Sequence, residues 1–153
     1  MTTSGPPTTL TGLRRETRDR IRAAIVNSGE EWPAQGITPS LPARLPERSS
    51  ADLAIAVGVL AAADAVPAAA LAGVMFLAEL GLDGRLRPVP DVLPAAITAA
   101  AEDGIDTVVV AAGDAADAAL APGMRVIAAH SLTEVIAWLR QGLSVDDQAE
   151  RTS

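Results

Sequence analysis

Lysine and cysteine are both absent from the 153-residue sequence, and His130 is its only histidine. Without cysteine, the chain has no disulfide, no thiolate nucleophile and no cysteine-based zinc site. Without lysine, it has no Walker A phosphate loop, no Schiff-base amine and no Ser-Lys dyad. A single histidine also excludes a metal site built from several histidines of one chain.

Aromatic residues are nearly as scarce, since the sequence contains only Trp32, Phe76 and Trp138 beside 32 alanines. Apolar residues still make up 49% of the chain, which excludes a disordered chain over most of its length. We therefore expect one domain whose core consists of small aliphatic side chains and whose helices approach closely.

The formal charge of −7 at pH 7 argues against nucleic-acid binding by the surface as a whole. Residues 1–9 lack the basic and apolar regions of a secretory signal. The longest apolar stretch, residues 53–82, is interrupted by two acidic residues and a proline. No uninterrupted piece of it reaches the roughly 18–20 residues that span a bilayer. We expect a cytoplasmic protein without membrane contacts, with flexible ends at residues 1–9 and 143–153.

Helix signals dominate the first half of the sequence. A first helix is predicted from about Leu13 to Ser28, with Gly29 as its C-terminal cap. A second predicted helix, Ser49 to Ala63, is apolar on every side, which places it at the centre of the fold. Residues 30–49 contain four prolines and are predicted to be loop, with at most one short edge strand near residues 37–41.

The second half contains strand and turn signals. Val74 to Leu82 is a predicted strand, Asp83 and Gly84 form a hairpin turn, and residues 85–89 are the return strand. Further elements are expected in the order helix 91–102, strand 107–111, short helix 114–120, strand 124–128 and helix 131–140, the last opened by a capping box of Ser131 and Glu134. Parallel pairing suits the later strands and the hairpin is antiparallel, so the predicted sheet is mixed.

Four segments together resemble a known family. They are Arg18 to Gly29 (RDRIRAAIVNSG) with Trp32-Pro33, Ile37-Thr38 with Ser50 to Gly58 (SADLAIAVG), Leu77 to Val89 (LAELGLDGRLRPV), and Ser131 to Leu139 (SLTEVIAWL). Over roughly residues 10–142 the chain looks like the N-terminal, ChlI-like domain of the magnesium-chelatase-like AAA+ ATPases, the ComM/YifB family. The resemblance implies an α/β fold like that of ribosomal protein S5 domain 2 and the Lon proteolytic domain. Such a fold has a mixed sheet with packed helices and one left-handed crossover.

The resemblance also implies parts that this sequence does not show. In the family, two or more strands precede the first helix and an AAA+ module follows the last one. This sequence begins just before that helix and ends soon after residue 142. We therefore expect an open sheet edge, covered by a second copy or by residues 8–10.

In Lon-type domains a serine at the start of the central helix is the nucleophile, and a lysine activates it. Ser50 falls at the serine position, whereas the lysine position falls near Leu93. Because leucine accepts no proton and arginine stays charged, peptidase activity by this mechanism is not expected. Ser50 is instead interpreted as a helix cap, as is Asp52 beside it. A triad of Ser50, His130 and a carboxylate remains the alternative, which would make the protein a diverged serine hydrolase.

Three carboxylates near the hairpin could bind a divalent cation: Glu79, Asp83 and Asp91. Structural roles are the stronger interpretation of all three. Asp83 makes the turn, Asp91 caps the following helix, and Glu79 bonds to backbone groups. No metal or cofactor is therefore expected.

Arg14, Arg18 and Arg22 form a stripe along the first helix, and this is the only basic patch in the sequence. It has three interpretations: a solvated face with ion pairs such as Glu16–Arg20, a docking surface for a protein, or a phosphate contact with nucleic acid.

The function expected from these observations is a non-catalytic interaction or assembly module for an AAA+ ATPase or for a second copy of the chain. A serine hydrolase that uses Ser50 is one alternative. An accessory role in DNA processing through the arginine stripe is the other.

Overall fold

The computed structural model describes residues 15–33, 48–102 and 104–141. The helices are α1 (Arg15–Asn27), α2 (Asp52–Ala62), α3 (Val92–Ala100), α4 (Ala115–Ala118) and α5 (Leu132–Gln141), with 3₁₀ turns at Arg48–Ala51, Ala68–Leu71 and Ala112–Asp114. The strands are β1 (Val74–Leu77), β2 (Glu79–Leu80), β3 (Leu86–Arg87), β4 (Thr107–Ala111) and β5 (Arg125–Ala129). The order of helices and strands agrees with the prediction except at residues 74–82, where the single predicted strand is broken at Ala78 into β1 and β2 of two different sheets. The return strand is also shorter than the predicted 85–89. The predicted edge strand at residues 37–41 and the ends at 1–9 and 143–153 lie outside the described residues.

Helix α1 ends as its sequence predicts. Gly29 has a φ of 87°, a left-handed conformation that glycine adopts without a steric penalty, and it follows the last turn of the helix. Ile21, Ala24 and Ile25 lie at helical spacing and are buried, so this face of α1 packs on α2.

Helix α2 is the centre of the fold, because every residue from Asp52 to Ala61 is buried. The cap predicted for it is wrong. Ala51 occupies the N-cap position, and no side chain accepts a hydrogen bond from the first turn. The side chains of Ser50 and Asp52 are engaged by other partners, which are described below.

The parallel and antiparallel pairings that the sequence predicts both form, but in two sheets. A three-stranded parallel sheet has the order β1-β4-β5, and β2 and β3 form a two-stranded antiparallel hairpin. The sheets meet where the Leu86 N–H donates to the His130 carbonyl at 3.0 Å and Arg85 bridges Ser131. Between β1 and β2, the carbonyl of Ala78 accepts from the Leu53 N–H of α2, which takes the chain out of the parallel ladder.

Alternate residues of the parallel sheet enter two hydrophobic layers, as the period of two requires. Phe76 and Val109 pack in one layer with side chains of α1, α2 and α5. Met75, Val108 and Val110 pack in the other with side chains of α3 and α4. The sheet therefore has helices on both faces, which is the α/β architecture.

Helix α5 begins with a variant of the predicted capping box. The Glu134 N–H donates to Ser131 Oγ at 3.2 Å, as predicted. The Glu134 carboxylate accepts from the N–H of His130 at 2.8 Å, one residue earlier than the box requires. In the described part of the chain, no helix has both the length and the apolar character needed to cross a membrane.

Candidate functional site

Ser50, at the position that the resemblance assigns to a nucleophile, lies on the 3₁₀ turn before α2 and is 6% exposed. Its hydroxyl donates to Asp91 Oδ1 over 3.5 Å, the long limit for such a bond. Asp91 occupies the N-cap position of α3 but makes no side-chain cap bond, so its predicted capping role is wrong. The carboxylate is directed to Ser50 instead.

Within the described residues, the hydrogen-bond partner of the Ser50 hydroxyl is the Asp91 carboxylate. A serine attacks only when a neighbouring group takes its proton, and the Lon type uses a lysine for this step. By the family resemblance that position falls near Leu93, a half-buried residue in the first turn of α3. The partner that the hydroxyl does have is a carboxylate, which holds it by a hydrogen bond.

The segment that carries Asp91 is fixed by a second carboxylate. Asp114 is 6% exposed and accepts the Val89 N–H at 2.8 Å. Because Val89 lies two residues before Asp91, this bond attaches the start of α3 to the end of β4. The sequence predicts Asp114 only as the start of a short helix, and it did not predict this contact.

His130 has different neighbours from Ser50. Its side chain is 76% exposed, and Nδ1 lies 3.4 Å from Glu134 Oε1. The contacts of Ser50 are with Asp91 and those of His130 are with Glu134, so the described structure does not assemble the alternative triad.

A partly buried ion pair lies beside this region. Arg20 donates from Nε and Nη2 to the two carboxylate oxygens of Asp52 at 2.9 and 3.0 Å. Asp52 is fully buried, and its Oδ2 also accepts the Leu80 N–H at 3.1 Å. The hydrogen bond to Asp52 raises the pKa of the Arg20 guanidinium above its ordinary value, although desolvation by burial acts to lower it. The nearby negative charge of Glu79 also raises the pKa of Arg20.

The sequence interpretation missed this pair, because it assigned Arg20 to Glu16. One signal was available, since Asp52 is the only charged residue in an otherwise apolar helix. A buried carboxylate requires a cationic or hydrogen-bonding partner, and arginine offers the bidentate geometry.

The other predicted carboxylates have separate structural positions. Asp83 Oδ1 accepts the Arg85 N–H at 3.0 Å within the hairpin turn, as predicted. The half-buried Glu79 lies opposite Arg87 in the hairpin. Over residues 15–33, 48–102 and 104–141, no three histidine or carboxylate side chains converge on a metal-sized site.

The arginine stripe is only partly open to solvent. Arg22 is exposed and Arg18 is half-buried, while Arg14 lies outside the described residues. Arg20, which flanks the stripe, is engaged by Asp52.

Comparison with known proteins agrees with this fold. The family model described as "Subunit ChlI of Mg-chelatase" matches residues 3–114. The chain is 44% identical over 128 residues to the uncharacterized protein Rv2897c of Mycobacterium tuberculosis, a match covering 82% of this chain and 25% of the relative. It is 38% identical to the competence protein ComM of Haemophilus influenzae and 39% identical to the uncharacterized protein YifB of Escherichia coli, each over 140 residues. Both of these matches cover 88% of this chain and 27% of the relative.

The chain thus spans about a quarter of the length of the curated relatives it matches. The matched family model covers most of the chain, and the relatives are close to 40% identical over nearly all of it. The α/β fold, the hairpin and the buried helix α2 belong to the region of the match, and the chain is therefore a member of the ChlI family of magnesium-chelatase-like proteins, with the N-terminal ChlI-like domain that ComM and YifB share.

Proposed function

We propose that the chain acts as a non-catalytic interaction or assembly domain of a ComM/YifB-type protein, with an AAA+ ATPase or a second copy of the chain as its partner. The observation that carries the proposal is the environment of Ser50. Its hydroxyl contacts the carboxylate of Asp91, and by the family resemblance the lysine position of the Lon-type domain falls near Leu93. A serine hydroxyl held by a carboxylate, with leucine near the position of the activating lysine, supports a role in binding over one in peptide cleavage.

The contacts around that position are suited to holding a fixed shape. Asp52 joins α1, α2 and β2 through Arg20 and the Leu80 N–H, and Asp114 joins β4 to the start of α3. Each contact uses a buried carboxylate with a charged or backbone donor, which is a specific and directional bond. Contacts of this kind hold helices and strands in fixed positions, which supports binding because less conformational entropy is lost when a partner docks.

The test is a direct measurement of binding and of hydrolysis with purified protein. Calorimetric titration of the chain into a purified magnesium-chelatase-like AAA+ ATPase of the same host measures binding to the ATPase. Sedimentation equilibrium of the chain alone measures its self-association. We expect micromolar or tighter binding to the ATPase, self-association, or both. A strict monomer that leaves the ATPase unbound contradicts the proposal.

Hydrolysis is measured in parallel with fluorogenic peptide substrates and a fluorophosphonate probe. Ser50→Ala is the test variant, and Ser131→Ala is the matched control on another helix start. We expect no turnover and no labelling from any of the three proteins. Labelling or cleavage that is lost in Ser50→Ala and retained in Ser131→Ala would establish the hydrolase in place of the interaction domain.

A further inference from the structure

Strand β5 differs sharply from its neighbour β4 in burial. All five residues of β4 are buried, whereas Ala129 is the only buried residue of β5 and Ala128 is exposed. The order β1-β4-β5 puts β5 at one edge of the parallel sheet in the described structure. A parallel strand is ordinarily covered on both faces, so this exposure marks a surface that a neighbour would complete.

The hydrogen-bond pattern tells which backbone groups face the open edge. The Arg125 N–H donates to the Asp106 carbonyl at 2.9 Å, and the register pairs Thr107 with Arg125. In a parallel ladder, alternate residues bond to the same neighbour. Odd-numbered residues of β5 therefore point their N–H and C=O groups at β4, and the even-numbered Val126 and Ala128 point theirs away from it.

The same pattern continues to His130, whose outward groups are both used. Its carbonyl accepts the Leu86 N–H at 3.0 Å, and its N–H donates to Glu134 Oε1 at 2.8 Å. These two bonds close the edge at its C-terminal end. Within the part of the chain that the structure describes, the outward groups of Val126 and Ala128 have no corresponding partner.

The open part of the edge carries none of the features that ordinarily prevent strand pairing. Val126, Ile127 and Ala128 are uncharged, none of them is proline, and Arg125 stands at the start of the strand. Exposed edges in monomers are usually protected by charge, proline or a bulge.

We propose that this edge pairs antiparallel with β5 of a second copy, about a twofold axis at Ile127. This deepens the proposed function, on which it rests, by naming the surface used in self-assembly. In that register Val126 of one copy lies opposite Ala128 of the other, so the outward groups of both residues are satisfied by four hydrogen bonds. A twofold interface needs such a self-complementary arrangement.

The side chains also suit this register. Ile127 lies opposite Ile127 of the other copy, and each is already half-buried against the layer formed with α1, α2 and α5. Arg125 lies opposite Ala129, so no like charges are placed against each other. The two parallel sheets join into one six-stranded sheet, and both hydrophobic layers continue across the new boundary.

The first experiment compares dimerisation of the natural chain with that of two variants at the exposed position 128. Ala128→Pro removes an outward N–H without removing a bond to β4, a position where an edge strand accepts proline. Ala128→Val retains the N–H and is the matched control. Sedimentation equilibrium should show a dimer whose dissociation constant rises at least tenfold in Ala128→Pro and changes less than threefold in Ala128→Val, with circular dichroism confirming that both variants fold.

The second experiment measures amide hydrogen exchange of the natural chain at two concentrations and needs no variant. The amides of Val126 and Ala128 should exchange rapidly in dilute protein and slowly in concentrated protein. The Ile127 and Ala129 amides, which bond to β4, should be protected at both concentrations.

A chain that stays monomeric at the higher concentration overturns the inference. So does protection of Val126 and Ala128 that is independent of concentration, which would show that a segment of the same chain covers the edge. Binding to the AAA+ ATPase by a monomeric chain would leave the proposed function standing while this inference fails. Hydrolysis that depends on Ser50 and is carried out by a dimeric chain would overturn the proposed function and leave this inference standing.

Discussion

The guanidinium of Arg20 and the carboxylate of Asp52 form a two-bond ion pair, with distances of 2.9 and 3.0 Å, across 32 residues of sequence. Asp52 has no exposed side-chain surface, and it also accepts the Leu80 N–H. A single carboxylate thus attaches helix α1 and the hairpin to the central helix. Its removal should affect the fold more than the loss of any exposed charge.

The first prediction concerns Asp52→Asn, which retains the side chain's volume and one acceptor oxygen. The Arg20 guanidinium would lose its counterion in a largely buried site, although it is 26% exposed and can still reach water. We expect the free energy of unfolding to fall by about 2–3 kcal/mol, less than the roughly 3–5 kcal/mol of a fully buried pair, because Arg20 reaches water. Urea denaturation measures this loss of stability. The control Asp19→Asn, on the exposed face of α1, should change stability by less than about 0.5 kcal/mol; equal effects would show that the pair is not stabilising.

The second prediction compares two glycines in the left-handed region. Gly84 has a φ of 88°, and a Cβ there would lie 2.7 Å from Ser28 Oγ and 3.3 Å from the Ala24 carbonyl. Gly29 has a φ of 87° but no atom within 4 Å of the added carbon. Gly29→Ala should therefore cost about 1 kcal/mol from backbone strain alone. Gly84→Ala should cost roughly 1 kcal/mol more, because Ser28 Oγ must leave its hydrogen bond to the Ala24 carbonyl or the hairpin must shift from α1.

Thermal or urea unfolding of both alanine variants tests this difference. Similar losses for Gly84→Ala and Gly29→Ala would mean that the hairpin turn does not pack closely against α1. The Asn27 side-chain N–H, which donates to the Leu82 carbonyl at 2.7 Å, gives a second probe of the same contact.

The third prediction is a pH dependence at the start of α5. The backbone N–H of His130 donates to the Glu134 carboxylate and is the main reason that the pKa of Glu134 lies below its ordinary value of 4.5. A lowered carboxylate pKa stabilises the folded state above pH 4.5, and this contribution is lost as pH falls through the folded-state pKa. Glu134→Gln should accordingly lower Tm at neutral pH, and its difference from the natural chain should disappear in acid.

Melting curves measured from neutral pH down to about pH 3 would show this convergence. Asp117→Asn is the control, because Asp117 is exposed on α4 and its substitution should give no pH-dependent difference of this kind. A Glu134→Gln difference that stays constant across the range would contradict the prediction.

The fourth prediction ranks two serines at the starts of helices. Ser131 Oγ accepts the Glu134 N–H at 3.2 Å and caps α5, so Ser131→Ala should cost about 1 kcal/mol. Ser50 caps nothing and donates over 3.5 Å to an exposed carboxylate that water can satisfy. Ser50→Ala should thus cost less than Ser131→Ala in urea denaturation. The opposite order would mean that the Ser50–Asp91 contact is tighter than the structure shows.

Much of the fold could be predicted from short stretches of sequence. The hairpin follows from Asp83-Gly84, the end of α1 from Gly29, and the buried strand β4 from its run of valines. Each of these signals acts over a few residues, because turn chemistry and the periods of helix and strand are local properties. The family resemblance was readable for the same reason, since it rests on contiguous segments such as Leu77 to Val89.

The sequence by itself also determined which chemistry is excluded, because the absence of lysine does not depend on folding. Only the tertiary structure decided which partners the polar side chains have. Arg20 pairs with Asp52 rather than Glu16, and Ser50 contacts Asp91, 41 residues away, rather than capping α2. These pairings depend on how helices and strands pack, and a carboxylate buried by that packing takes the nearest donor in space, however far away that donor lies in the chain.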